Sequence, residues 1–229
     1  MDIQLVVFDM AGTTVRDANN VHQALQTALQ KGGFEFSVAE INPYMGIPKP
    51  LAIRYLLEQR PATQHLLEDE EFVQEIHAHF VAEMLHFYRT SPEVAEKPFA
   101  TEVFRDLKAA GIKVALDTGF SRDIVDAVIQ RLGWDRDGLI DLSVASDEVP
   151  RGRPHPDLIF RAMQLAGVTD GQAVAKVGDT SSDLQEGTAA QCRYVIGVTT
   201  GAFTREALIN EPHTHLVADL REVLAIVLA

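Results

Sequence analysis

The chain has 229 residues, 46% hydrophobic and 23% charged, the profile of a globular protein with a full core or two modest domains. Its 33 acidic against 20 basic residues give a net charge of −13 with no basic run, which argues against nucleic acid and anionic membrane surfaces as partners. Cys192 is the only cysteine, no apolar stretch nears the ~20 residues of a membrane span, and no signal-peptide pattern opens the chain, so a cytoplasmic location is expected.

The first predicted strand is the apolar run Ile3-Gln4-Leu5-Val6-Val7-Phe8, which stops abruptly at Asp9. A buried strand of this kind delivers its carboxylate to the carboxyl end, where ligands of open α/β sheets sit. Ala11, Gly12, Thr13 and Thr14 follow at once. Gly12 permits a tight turn, and the N–H groups of Gly12 and Thr13 are expected to face an anion.

From Asp17 to about Phe99 the periodicity is helical. Val21, Leu25, Ala28 and Leu29 keep helix spacing up to Gly32-Gly33. Ser37 and Glu40 make a capping box for a second helix. The stretch Asn42-Pro43-Tyr44-Met45-Gly46-Ile47-Pro48-Lys49-Pro50 cannot be regular helix. Pro50 is expected to open the next helix, with Lys49 just outside it at the positive end of the dipole, a setting that lowers an ammonium pKa. Phe72, Ile76, Phe80, Met84 and Phe87 mark a long amphipathic helix over 68–89, with the acidic run Glu68-Asp69-Glu70-Glu71 as its first turn.

After Pro98 strands and helices alternate. A helix over 100–110 leads to the strand Ile112–Asp117, which ends in Thr118-Gly119. A helix over 121–132 leads to a strand over 139–144, then to the loop Pro150-Arg151-Gly152-Arg153-Pro154 and a helix over 157–166. The strand Ala173–Val177 ends in Gly178-Asp179, followed by a helix over 181–190, a strand over 194–198, a short strand near 215–218 and a C-terminal helix. This alternation means βαβ units and a parallel sheet. The fold class read from the sequence is therefore α/β: a Rossmann-like core of residues 1–16 and 97–229, with residues 17–96 inserted as an all-helical cap.

Four strand ends carry chemistry: Asp9, Thr118 with Gly119, Arg153, and Asp179 with Asp183 four residues on. Asp9 and Asp179 together make a hard-oxygen site of the sort Mg²⁺ prefers. Their order resembles the four motifs of the haloacid dehalogenase superfamily of phosphoryl-transfer enzymes. The resemblance implies Asp9 as nucleophile, with Mg²⁺ held by Asp9, the backbone carbonyl of Ala11, and Asp179, and with Asp183 behind them. It implies that Thr118, Gly119 and Arg153 bind the phosphoryl group beside Gly12 and Thr13. In most of that superfamily position 11 is a second Asp, a general acid and base worth ~10²–10⁴ in rate. A methyl group cannot do that work.

The phosphonatase branch (phosphonoacetaldehyde hydrolases) carries this Ala. Asp9-Met10-Ala11-Gly12-Thr13-Thr14-Val15 resembles its DWAGTTV, and Met45-Gly46-Ile47-Pro48-Lys49 resembles its MGLLK, whose lysine forms a Schiff base. Val149–Pro154 resembles VPAGRP, and Val177–Asp183 resembles VGDTVSD. The resemblance implies C–P cleavage by Lys49 and Asp9, with Met45 and Gly46 near the substrate, and a homodimer through the cap. The family's Cys, His and Tyr fall here on Asn19, Ala52 and Phe120. The resemblance thus implies a small phosphonate or phosphate as substrate. Two other readings stand beside this one: a phosphatase of the same superfamily, against which Ala11 argues, and a non-catalytic phosphoryl-ligand sensor, against which the complete motif set argues.

Overall fold

A computed structural model describes residues 2–229, without the side chain of Gln64. Six parallel strands form one sheet: β1 (Leu5–Asp9), β2 (Lys113–Asp117), β3 (Leu142–Val144), β4 (Val174–Gly178), β5 (Tyr194–Val198) and β6 (His215–Val217), in the order β3-β2-β1-β4-β5-β6. This is the Rossmann-like arrangement that the alternation predicts. All five residues of β1 are buried, because both sheet faces are covered and the strand is central. Leu5 and Val7 enter the apolar cluster on one face, and Val6 and Phe8 the cluster on the other.

One face carries α7 (Asp157–Ala166), whose Leu158, Ile159, Ala162 and Met163 pack on the sheet. The other carries α5 (Ala100–Ala109), α6 (Arg122–Leu132) and α10 (Arg221–Val227). The helix α8 (Ser181–Ala189) starts directly beyond β4, and α9 (Arg205–Leu208) lies between β5 and β6.

Between β1 and α5 the described chain holds only helices: α1 (Asn20–Lys31), α2 (Val38–Ile41), α3 (Lys49–Glu58) and α4 (Glu70–Thr90), with short 3-10 turns. The expected Ser37–Glu40 capping box is present. Asp69 caps α4 by accepting from the Phe72 N–H, and Glu70 and Glu71 lie in its first turn, where carboxylates oppose the positive dipole end. Two crossings join this insertion to the sheet. The Arg16 N–H donates to the Ala95 carbonyl at 2.9 Å, and the Lys97 N–H to the Thr14 carbonyl at 2.8 Å, around an antiparallel bridge between Val15 and Glu96. The insertion does not keep a core to itself: Leu25, Ile53, Phe80, Met84 and Tyr88 belong to the same apolar cluster as Val103, Phe104 and Val128 of the sheet-side helices.

Two expectations shift slightly. The third strand is shorter than 139–144, since only Leu142–Val144 pair with β2. Just before them the Asp141 carboxylate takes the Val114 N–H at 2.8 Å, in place of a backbone carbonyl. And α3 begins at Lys49 itself, not at Pro50: Pro48, at φ −54° and ψ 134°, is the cap. The first turn of a helix has no backbone acceptors waiting for its N–H groups, so Pro50 fits there without loss. No helix is long and apolar enough to cross a membrane among the described residues.

Candidate active site

The chain reverses direction across the sheet between β1 and β4, which makes their carboxyl ends the natural crevice. β1 brings Asp9 there, β2 brings Asp117 and Thr118, the loop after β3 brings Arg153, and β4 leads to Asp179. All five side chains are buried. The sequence-predicted core residues therefore do converge.

Arg153 organises the charges. Its Nη1 donates to Asp9 Oδ1 at 2.6 Å, its Nε to Glu186 Oε2 at 2.9 Å, and its Nη2 to both the carbonyl and the carboxylate of Asp117. Asp183 Oδ1 is 3.0 Å from Nη1. Lys176, in the middle of β4, pairs with Asp117 and lies 3.2 Å from Asp183 and from Glu186. Two cations thus stand among four buried carboxylates, and a buried charge of either sign is tolerable only because of the other. Burial pushes Asp9 up to about 6, with repulsion from Asp183 in the same direction and Arg153 and Lys176 opposing. Glu186 is pushed up to about 8 by burial and by Asp117.

Asp179 is held differently. It accepts from the Thr13 hydroxyl at 3.1 Å and from the Ala202 N–H at 2.6 Å, and among the described residues no basic side chain pairs with it. Burial, then the charges of Asp9 and Asp183, raise its pKa well above the carboxylate range. A Cβ on Gly12 would come within 2.1 Å of Asp179 Oδ2, and one on Gly201 within 2.0 Å. Both glycines are therefore needed by the close approach of this carboxylate, and Gly12 also stands at φ +95°.

Here the structure corrects an expectation. The Gly12 N–H donates to the Val15 carbonyl and the Thr13 N–H to the Met10 carbonyl, closing the turn, while the Thr13 hydroxyl serves Asp179. Gly12 and Thr13 shape the carboxylate site instead of offering their N–H groups to an anion. Arg153, likewise, is already engaged by Asp9, Asp117 and Glu186.

A divalent cation fits the pair Asp9 and Asp179. Both are buried, the charge of Asp9 raises the proton affinity of Asp179, Asp183 repels both, and a hard cation with oxygen ligands relieves that conflict. Asp9, Asp117 and Asp183 also offer oxygens within 4.8 Å of one another. That trio is the poorer ion site, because Arg153 pairs with all three of its members and Lys176 with Asp117 and Asp183 as well, whereas Asp179 has no such partner among the described residues.

Above the carboxylates lies a small cavity of about 30 Å³, lined by Asp9, Ala11, Thr118 and Gly119 from the sheet side and by Met45, Gly46 and Lys49 from the insertion. The loop Met45–Ile47 sits directly on the core: a Cβ on Gly119 would come within 2.8 Å of the Gly46 and Ile47 carbonyls. A Cβ on Gly46, at φ +83°, would come within 2.3 Å of the Thr180 and Ser182 hydroxyls. Lys49 is only 2% exposed. Its Nζ donates to the Ile47 carbonyl at 3.2 Å and lies 5.8 and 5.9 Å from the ring centres of Phe80 and Phe120. Burial lowers its pKa to about 8, against the opposing pull of Asp9.

The sequence reading missed Asp117, Lys176, Glu186 and Asp17. Asp117 and Lys176 had a signal: a lysine inside an apolar parallel strand must be paired, and an acid ending β2 repeats the pattern of Asp9; Glu186, inside α8, had none. Asp17 lines the cavity from the outgoing crossing, and nothing in its spacing marks it.

Comparison with known proteins bears on this geometry. The family model of haloacid dehalogenase-like hydrolases matches residues 3–191. The chain belongs to this family. Among curated relatives of this haloacid dehalogenase-like hydrolase, a phosphonoacetaldehyde hydrolase of Bacillus cereus (strain B4264) is 30% identical, covering 99% of this chain and 87% of its own. One of Bacteroides fragilis is 29% identical over 93% of this chain and 81% of its own. Among solved structures, a phosphonoacetaldehyde hydrolase-like protein of Oleispira antarctica superposes with a TM-score of 0.84 at 24% identity, covering 99% and 93% of the two chains. CbbY of Rhodobacter sphaeroides, solved with phosphate, gives 0.78 at 17% identity over 96% of each chain. In this hydrolase Asn19 is exposed at φ 67°, Ala52 is buried inside α3, and the Phe120 ring packs edge-on against Tyr88 with ring centres 6.2 Å apart.

Proposed function

We propose that this hydrolase cleaves the C–P bond of phosphonoacetaldehyde, giving acetaldehyde and phosphate. The observation that carries the reading is the buried amine of Lys49 in one cavity with Asp9, beside an alanine at position 11. Residues 1–16 and 97–229 act as the catalytic core and 17–96 as its cap.

Expelling a carbanion from phosphorus is unfavourable unless the electrons have somewhere to go. The Lys49 amine condenses with the aldehyde, releasing water, and the resulting iminium accepts them. Asp9 attacks phosphorus, the C–P electron pair passes into the iminium, and an enamine leaves. No proton need be supplied to a leaving oxygen, so Ala11 costs nothing. Water then releases phosphate from Asp9, and the enamine is protonated and hydrolysed to free Lys49. Arg153 holds Asp9 in place, and the Thr118 hydroxyl and Gly119 face the phosphoryl oxygens. Asp9 and Asp179, with the Ala11 carbonyl, would hold Mg²⁺, which neutralises charge on the phosphoryl oxygens when bound.

The cavity has room for roughly one or two water molecules, less than a phosphonate requires. The loop Met45–Ile47 must lift for substrate to enter and return to bring Lys49 to bear. Incubation with Mg²⁺ and phosphonoacetaldehyde, then borohydride, tests the reading. Phosphate release with a reduced adduct on Lys49 supports it. Hydrolysis of phosphate esters without an adduct makes the protein a phosphatase, and turnover of neither leaves a phosphoryl-ligand sensor.

A further inference from the structure

We propose that Asp17 is the proton carrier for the Lys49 amine during imine formation. The proposal rests on the imine reading of Lys49 given above.

Imine formation moves protons at two atoms, the attacking nitrogen and the carbonyl oxygen, and a buried cavity needs a fixed group to move them. Among the lining residues only Asp9, Asp17 and Lys49 carry a carboxylate or an amine; the others are apolar, glycine or threonine. Asp9 is bound by Arg153 and committed to phosphorus. That leaves Asp17.

Its placement suits the task. Asp17 sits on the crossing from β1 to α1, where its Oδ1 accepts from the Asn20 N–H at 2.6 Å and the Val21 N–H at 3.3 Å. The carboxyl group is thereby fixed against the start of a twelve-residue helix, and the residue still lines the cavity. Its charge reaches the reacting nitrogen, since Asp17 acts with Asp9 to raise the proton affinity of Lys49 while Arg153 lowers it. The other titratable groups nearby do less. Tyr88 of α4 feels the charges of Asp17 and Asp9 but is held in its neutral form by burial, so it cannot accept a proton near neutrality. His77 of α4 is made less basic by burial and by Lys49 itself, and it does not line the cavity. Lys97, on the returning crossing, is tied to the Thr200 carbonyl at 2.7 Å.

The neutral Lys49 nitrogen attacks the carbonyl carbon; a C–N bond forms and the oxygen takes the π electrons. Asp17 takes one proton from the nitrogen and returns it to the oxygen, giving the carbinolamine. A second proton, from solvent, passes through Asp17 to the hydroxyl. The C–O bond breaks, water leaves, and the nitrogen lone pair forms the iminium.

The helix-capping role of Asp17 must be separated from this one, and Asp17→Asn does so. Asparagine keeps an oxygen for the Asn20 and Val21 N–H groups but cannot carry the proton. The measurement is the rate of borohydride-trapped adduct on Lys49 with phosphonoacetaldehyde, followed by mass spectrometry across pH 6–9, beside the melting temperature. The expected result is a fall of about 10²-fold in D17N, with a flattened pH profile and a nearly unchanged melting point, and partial recovery in Asp17→Glu. Asp17→Ser, which also keeps a capping oxygen, must show the same loss. Wild-type trapping at an unchanged rate and pH profile in D17N or D17S overturns the role of Asp17 alone. No adduct in the wild-type protein overturns the imine reading and this proposal with it.

Discussion

Lys49 shows what a buried amine costs a fold. In the unfolded chain it titrates near 10.5, and in the folded protein near 8. Between those values the unfolded state binds the proton and the folded state does not, so stability rises as pH climbs through that window. Below about 8 both states are protonated and the whole penalty is present, of the order of 3 kcal/mol. Lys49→Met should therefore be more stable than wild type at neutral pH by up to that amount, with the gap closing by about pH 10.5, while losing turnover. Urea titrations at two pH values read this directly, and an equal or lower stability for K49M at pH 7 would show that the ammonium is not desolvated. Arg153 is the opposite case. Replacing it with Met leaves Asp9, Asp117, Asp183 and Glu186 facing one another with Lys176 alone, so a loss of ~3–5 kcal/mol is expected. A loss below 1 kcal/mol would mean the carboxylates simply take up protons.

At the scale of elements, the contact that matters is the loop Met45–Ile47 against Gly119. Gly119→Ala forces a methyl group against two carbonyls, and the loop must shift. Displacing Lys49 by even an ångström should lower kcat/KM by about 10²-fold with little change in unfolding midpoint, because few buried side chains are involved. Phosphate release assays check this; full activity in G119A would show that the loop does not dock during turnover. The elements themselves were plain in the sequence. β5 and α7 match the residues expected of them, because a buried parallel strand is a continuous apolar run and a helix that ends at glycine declares its end. Asp9, Thr118 and Asp179 could be read because each stands at the end of such a run, whereas Arg153, in the loop beyond β3, could be read only from the resemblance of Val149–Pro154 to a family motif. Lys176 signals that it must be paired but not with what, and Glu186 signals nothing, since their partners lie on other elements and the pairing leaves no local trace. Asp17 was invisible for a related reason: an acid just before a helix has a sufficient local explanation as a cap.

For the whole molecule, the balance of buried charge sets how ligands and stability are linked. With Asp9 and Asp179 both buried and repelling, Mg²⁺ should raise the melting temperature in proportion to the logarithm of its concentration above Kd. Asp179→Asn should abolish that increment, and a thermal shift in D179N as large as in wild type would place the ion elsewhere. The insertion and the sheet-side helices share one apolar cluster that passes through Phe80, Tyr88 and Phe120. Separating them wets those rings. Wetting apolar surface becomes easier as water cools, so the open population should grow on cooling, and the temperature dependence of turnover should curve for a reason unrelated to bond-breaking. On the proposed reading, a seam of aromatic packing would act as a thermostat on access to the cavity: the colder the solution, the more loosely the chamber would be shut.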